Sequence, residues 1–67
     1  MKNNIRPLRL SHGQMTQQEL ADRIGVSRQT IITMEKGNYQ PSVKLALKIA
    51  KVFAADIENV FQLEEDD

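Results

Sequence analysis

Five side chains within one short stretch, Arg28, Gln29, Ile32, Thr33 and Lys36, carry the most distinctive chemistry of this chain. A guanidinium can donate two hydrogen bonds to guanine O6 and N7. A carboxamide can pair with adenine N6 and N7, a threonine hydroxyl can bond either kind of edge, and an aliphatic chain can cover a thymine methyl. On a helical wheel with Arg28 at zero, the five fall between about 0° and 140°, while Ile31 and Met34 fall near 300° and 240°. A helix over residues 28–36 thus turns a base-reading face outward and an apolar face inward, with Lys36 better placed for phosphate than for a base. The alternative for Arg28 and Gln29 is two solvated polar side chains, and for Ile32 an incidental exposed isoleucine.

Such a face needs elements that hold it at a fixed angle, and the preceding residues supply them. Thr16 followed by Glu19 is a capping box that starts a helix over residues 17–24. Gly25 provides the positive φ favoured at a helix end, and Ser27 caps the next helix. Two short helices joined by a tight glycine turn, residues 16–36, form a helix-turn-helix pattern, whose second helix enters the DNA major groove while the first crosses the backbone. Ala21 is the small residue required where the helices cross, and Gly25 occupies a bend that a side chain would obstruct. Leu20, Ile24, Val26, Ile31 and Met34 lock the pair together. Gln17 lies where a helix N-terminus favours phosphate. Ser27, Asn38, Tyr39 and Ser42 are further DNA-backbone candidates, although for Tyr39 packing of the ring against Met34 or Pro41 is favoured slightly over a phosphate contact.

Around this pair the signals are again helical. Asn4 caps a first helix ending near His12 and Gly13, with Pro7 in its first turn, where a missing N–H costs nothing. Ser42 opens a fourth helix with Val43, Leu45, Ala46, Ile49, Ala50 and Phe53 as its core stripe. Lys44, Lys48 and Lys51 lie off that stripe, as a solvated face or as phosphate contacts. Asp56 caps a short fifth helix in which Ile57, Val60 and Phe61 share one face. No alternating run demands a strand, although Phe61–Leu63 can pair as a short strand with the N-terminus. The fold class is all-α, a compact five-helix domain over residues 1–67.

Composition narrows the function further. A chain of 67 residues is one domain and buries only about 60% of its unfolded surface, so its stability margin is thin. There is no cysteine and one histidine, His12, read as a surface residue near a helix end. No metal site, no cofactor and no catalytic constellation is expected, and the protein is read as a non-enzyme. Apolar runs are short and the N-terminus lacks the apolar stretch of an export signal, which places the protein in the cytoplasm, away from membranes. The net charge is zero, but residues 1–55 hold all nine bases against three acids, whereas residues 56–67 hold six acids and no base. A basic body with an acidic end, notably residues 63–67, fits a nucleic-acid face plus a tail kept away from it. A fraying tail that serves only solubility is the alternative.

The segments TQQELADRIGVSRQTI, MEKGNYQPS, LALKIAKVF and IENVF resemble, in that order, the phage-repressor and Cro-like family, the xenobiotic-response-element type of bacterial regulator. The resemblance covers nearly the whole chain. It implies a lambda-repressor-like fold, sequence-specific binding of double-stranded DNA, and usually a dimer. It also implies that Gln17, Arg28, Gln29 and Thr33 match DNA-contacting positions, and that Arg9 and Glu35 form an ion pair tying the first helix to the third. Because GQMTQ is one residue longer than the family's usual turn, Arg6 is the alternative partner for Glu35. Where the family often has glycine after the fourth helix, this chain has Ala54, which makes that helix end less sharply defined. No long C-terminal domain follows.

The expected function is a homodimeric transcriptional regulator, such as a repressor, with half-sites about 34 Å apart on a pseudo-palindrome. Ile57, Val60, Phe61 and Leu63 supply the expected dimer contacts, there being more apolar residues at that end than one subunit covers. The rival is an interaction module of the antitoxin type with DNA binding secondary, though no toxin-wrapping extension is evident.

Overall fold

A computed structural model describes residues Met1–Asp67. Five helices follow one another: α1 (Ile5–Ser11), α2 (Gln17–Ile24), α3 (Arg28–Glu35), α4 (Val43–Val52) and α5 (Ile57–Val60). A two-stranded antiparallel ribbon of β1 (Lys2–Asn3) and β2 (Phe61–Gln62) joins the ends of the chain, with Lys2 opposite Gln62 and Asn3 opposite Phe61. This is the pairing expected of the FQL segment, except that Leu63 lies beyond it.

The local signals around α2 and α3 act as read. Thr16 Oγ1 accepts from Glu19 N at 3.0 Å while Thr16 N donates to Glu19 Oε1 at 3.1 Å, so two otherwise unpaired donors at the start of α2 are satisfied. Ser27 Oγ accepts from Thr30 N and Ser42 Oγ from Leu45 N, starting α3 and α4 in the same way. Gly25 closes α2 in left-handed backbone (φ 74°), and Val26 N donates to Ala21 O at 3.0 Å. A Cβ built on Gly25 would meet no atom within 4 Å. The glycine is therefore required by its dihedral alone, and the expected steric obstruction is absent.

Two other caps differ from expectation. Asn4 precedes α1 without a side-chain capping bond, its amide donating instead to Asn59 O at 2.9 Å. Asn3 takes over the role, its Oδ1 accepting from Ile5 N at 3.2 Å. Asp56 makes no side-chain capping bond to α5 either. The start of α1 is instead tied to the end of α5, by Asn4 N to Val60 O at 2.8 Å as well as by the Asn4 amide.

The core is one cluster in which Ile5, Leu20, Ile31, Met34, Ile49 and Val60 are fully enclosed, with Met15, Ala21, Ile24, Ala50 and Phe53 beside them. Met15 escaped the sequence reading. It precedes the Thr16 cap, with Leu20 at the fourth helical position, which is the spacing of a hydrophobic staple. Val60 is completely buried and is thereby removed from the surface on which a dimer was expected. A helix of four residues has one inward position per turn, and Val60 fills it. Val43, placed in the α4 stripe, is 75% exposed because the buried arc of that helix centres on Ala46, Ile49 and Phe53.

The end of α4 is sharply defined despite its alanine. Ala54 adopts φ 50°, Ala54 N donates to Lys51 O at 3.1 Å and Ala55 N to Ala50 O at 3.0 Å, the double closure of a Schellman motif. An L-residue other than glycine pays about 1–2 kcal/mol for this backbone. Ala54→Gly should therefore raise stability by about 1 kcal/mol, less the greater entropy of a glycine in the unfolded chain. Urea unfolding followed by circular dichroism checks this, and a lower midpoint in the variant would refute it.

Candidate nucleic-acid interface

The outward face of α3 is built by the burial of its opposite side. Ile31 and Met34 are fully buried, which fixes the helix's rotation about its own axis. Arg28, Gln29 and Lys36 are then exposed, while Ile32 and Thr33 are half-buried on the flank. Gln29 Nε2 lies 3.5 Å from Thr33 Oγ1, one turn on, so the two polar groups form one local unit. Lys36 is the residue after the last helical position and sits about 12 Å along the axis from Arg28, at 1.5 Å per residue.

At the C-terminal end of α3 lies an ionic anchor. Arg9 is only 7% exposed, and its Nε and Nη2 donate to Glu35 Oε2 and Oε1 at 2.8 and 3.1 Å. Nη1 donates to Met15 O at 2.8 Å, so the guanidinium spans α1, the α1–α2 turn and α3. Arg9, not the alternative Arg6, is thus the partner of Glu35. The longer turn is absorbed by Gly13 (φ 71°) and Gln14 (φ 59°), consecutive residues in left-handed backbone. Gln17 Nε2 also donates to Glu35 Oε1, at 3.3 Å. Its carboxamide is therefore oriented from within the protein.

The remaining expected contacts are distributed over the surface. An open cleft between α1, the start of α2 and the start of α3 gathers Arg6, Gln14, Gln17, Gln18 and Arg28 over the Arg9–Glu35 pair. Ser27 is exposed, its hydroxyl engaged with Thr30. Ser42 borders a separate hollow with Lys44, Lys48 and the Gly25 turn. Lys36 borders a third with Lys2 and Glu64. Asn38 and Tyr39 are exposed in the loop before α4. Ala21 is fully buried between the helices, as a crossing position requires. His12 stays at the surface, its ring 5.3 Å from that of Phe53.

Sequence reading missed Asn3. Its Nδ2 donates to Met34 O at 2.7 Å, so β1 caps the C-terminal end of α3 from across the molecule. The acidic end also departs from a fraying tail: Glu64 Oε1 and Asp67 Oδ2 lie 3.3 and 3.2 Å from the Met1 ammonium. The Asp67 hydrogen bond, chief among the raising contributions, lifts the Met1 amine above its ordinary pKa. The Glu64 backbone N–H, followed by that ammonium, lowers Asp67.

Two independently capped helices at a glycine turn, with an exposed arginine–glutamine pair opposite a buried isoleucine–methionine pair, agree with what comparison of the chain finds. A helix-turn-helix family model matches residues 5–60. The chain belongs to the helix-turn-helix family. It is 54% identical over 67 residues to an uncharacterized HTH-type transcriptional regulator of Methanocaldococcus jannaschii, covering all of both chains. A similarly described regulator of Archaeoglobus fulgidus is 49% identical, over all of this chain and 94% of that one. The regulator YgzD of Bacillus subtilis, also described as an uncharacterized HTH-type transcriptional regulator, is 48% identical over 98% of each. In this helix-turn-helix protein no helix is long and apolar enough to cross a membrane.

Proposed function

We propose that this helix-turn-helix protein is a sequence-specific DNA-binding transcriptional regulator that acts in the cytoplasm as a homodimer and has no catalytic role. The observation that carries the reading is the division of α3 into a buried face, Ile31 and Met34, and an exposed one led by Arg28 and Gln29. Arg28, Gln29, Ile32 and Thr33 read base edges; Gln17, Ser27, Lys36, Asn38, Tyr39 and Ser42 hold the DNA backbone. Selection of bound duplexes from a random pool tests the reading, with enrichment of a pseudo-palindrome of half-sites about 34 Å apart as the expected result. A pool that stays random after repeated rounds would defeat it.

Dimerisation draws on the apolar side chains that one subunit leaves uncovered. Leu63 is 79% exposed, and Ile57 and Phe61 are half-buried. Val43 and Leu47, one turn apart on α4 and 75% and 55% exposed, add the area that buried Val60 does not provide. Leu47→Glu should shift the protein from dimer to monomer in sedimentation at micromolar concentration while leaving its helicity unchanged. A wild-type protein that sediments only as a monomer would end the dimer reading, and an undisturbed variant dimer would remove α4 from it.

A further inference from the structure

The four acids Glu64, Glu65, Asp66 and Asp67 follow the closing ribbon after a single residue, Leu63. They fold back as a tight turn, in which Glu64 N donates to Asp67 Oδ2 at 2.8 Å and Asp67 N to Glu64 O at 3.0 Å. The turn is docked: Glu64 Oε1 and Asp67 Oδ2 contact the Met1 ammonium, and the Asp67 side chain is only 17% exposed. Met1 in turn lies against the end of α3. A Cβ on Gly37 would stand 3.4 Å from Met1 O, and Asn3, two residues on, donates to Met34 O. One hollow is therefore lined by Met1, Lys2, Lys36, Gly37 and Glu64. Lys36 takes part in no ion pair, so its ammonium is open to phosphate while a carboxylate borders the same space.

We propose that the acidic end is an autoinhibitory contact: held by the Met1 ammonium beside the end of α3, Glu64–Asp67 oppose the approach of a duplex to Lys36 and must be displaced when DNA is bound. The inference rests on the proposed function and adds to it a restraint built from the two ends of the chain. Four carboxylates against one ammonium, four minus one, leave an excess of three negative charges at this corner. Such an excess repels phosphates over roughly the Debye length, about 8 Å at physiological salt. A tail moving freely in solvent would spread the same charge over many positions. Docking concentrates it at the one end of α3 where a lysine stands ready for the DNA backbone. The device is reversible because the ion pairs that hold it are exposed, and pairs of that kind are individually weak.

The test compares wild type, Glu64→Gln/Asp67→Asn, and full-length protein synthesised with an acetylated Met1 amine, each binding the selected duplex at low salt. Glu64→Gln/Asp67→Asn should tighten binding about threefold to tenfold, an effect that fades toward 1 M salt, where the Debye length is about 3 Å. In a Lys36→Ala background the same pair of substitutions should gain less than twofold. Acetylation decides between docking and mere charge. It removes a positive charge and by that alone would weaken binding to DNA, whereas release of the acidic end should tighten it. Weaker binding by the acetylated protein, or an undiminished gain in the Lys36→Ala background, overturns the proposal and leaves the regulator reading intact. Amide NMR of the DNA-free protein supplies a second readout: acetylation should shift the signals of Glu64–Asp67 together with those of Lys36 and Gly37. Shifts confined to the first three residues overturn the docked arrangement. Failure of every form to bind any duplex overturns both the regulator reading and the inhibitory role.

Discussion

Glu35→Ala should destabilise the domain by about 3–5 kcal/mol, the usual cost of removing one partner from a buried ion pair and leaving the other charge uncompensated. Arg9 is 7% exposed and gives two of its hydrogen bonds to Glu35, keeping only Met15 O once the carboxylate is gone. A domain of this length has a total stability of roughly 3–10 kcal/mol, so the loss is a large share of what exists. The melting temperature should fall by more than about 12 °C, at 4–8 °C per kcal/mol for a domain of this size. The cost is one of isolation and not of charge as such. Arg9→Met combined with Glu35→Leu should thus recover much of the stability, because apolar side chains often replace a buried pair without loss. A Glu35→Ala protein that unfolds within about 1 kcal/mol of wild type would show that water reaches Arg9 freely and that the pair is no anchor. The expected consequence for binding is indirect: Glu35 also orients the Gln17 carboxamide, so a folded remnant would present a less ordered α2 terminus to phosphate.

Arg28→Ala should cost about 1–3 kcal/mol in affinity for the preferred site and relax the requirement at one base position, as expected for loss of a bidentate contact to guanine. Arg28 opens α3, is exposed and is held by no acid within the chain, so its guanidinium is free to meet a base edge. Lys36→Ala should behave differently, lowering affinity for all duplexes alike and reducing the salt slope by about one. The contrast follows from position: Arg28 lies at the first turn of α3, and Lys36 just beyond its last. Competition binding with single-base variants of the selected site separates the two effects. If Arg28→Ala discriminates among those variants as wild type does, base reading belongs to other residues of α3. The fold should be untouched, since neither side chain enters the core.

These two predictions depend on different depths of legibility. The α2–turn–α3 unit was readable because its determinants are local. Thr16 and Glu19 meet three residues apart, Ser27 meets the N–H of Thr30, and Gly25 supplies a dihedral at one position. The outward set of α3 followed from periodicity, since burying Ile31 and Met34 leaves Arg28 and Gln29 no direction but outward. The choice between Arg9 and Arg6 as partner of Glu35 had no such local solution. It turned on how the longer α1–α2 turn is accommodated, and the left-handed backbone at Gly13 and Gln14 accommodates it. Ala54 shows the reverse case: the tertiary fold imposes a glycine-like conformation on a residue whose chemistry disfavours it.

The sequence by itself determined the five helices, the turn that pairs α2 with α3, the polar set that α3 turns outward, and the ribbon-forming end of the chain. It did so because capping, backbone dihedrals and helical periodicity act over three or four residues. Only the tertiary structure decided that Val60 lies inside and Val43 outside, that Asn3 caps α3, and that the acidic end folds onto the Met1 ammonium. It alone placed Arg6 and Arg28 on the lining of one cleft. Those facts depend on which surfaces meet when α1, α4 and the terminal ribbon close over one small core, and distance along the chain carries no record of that.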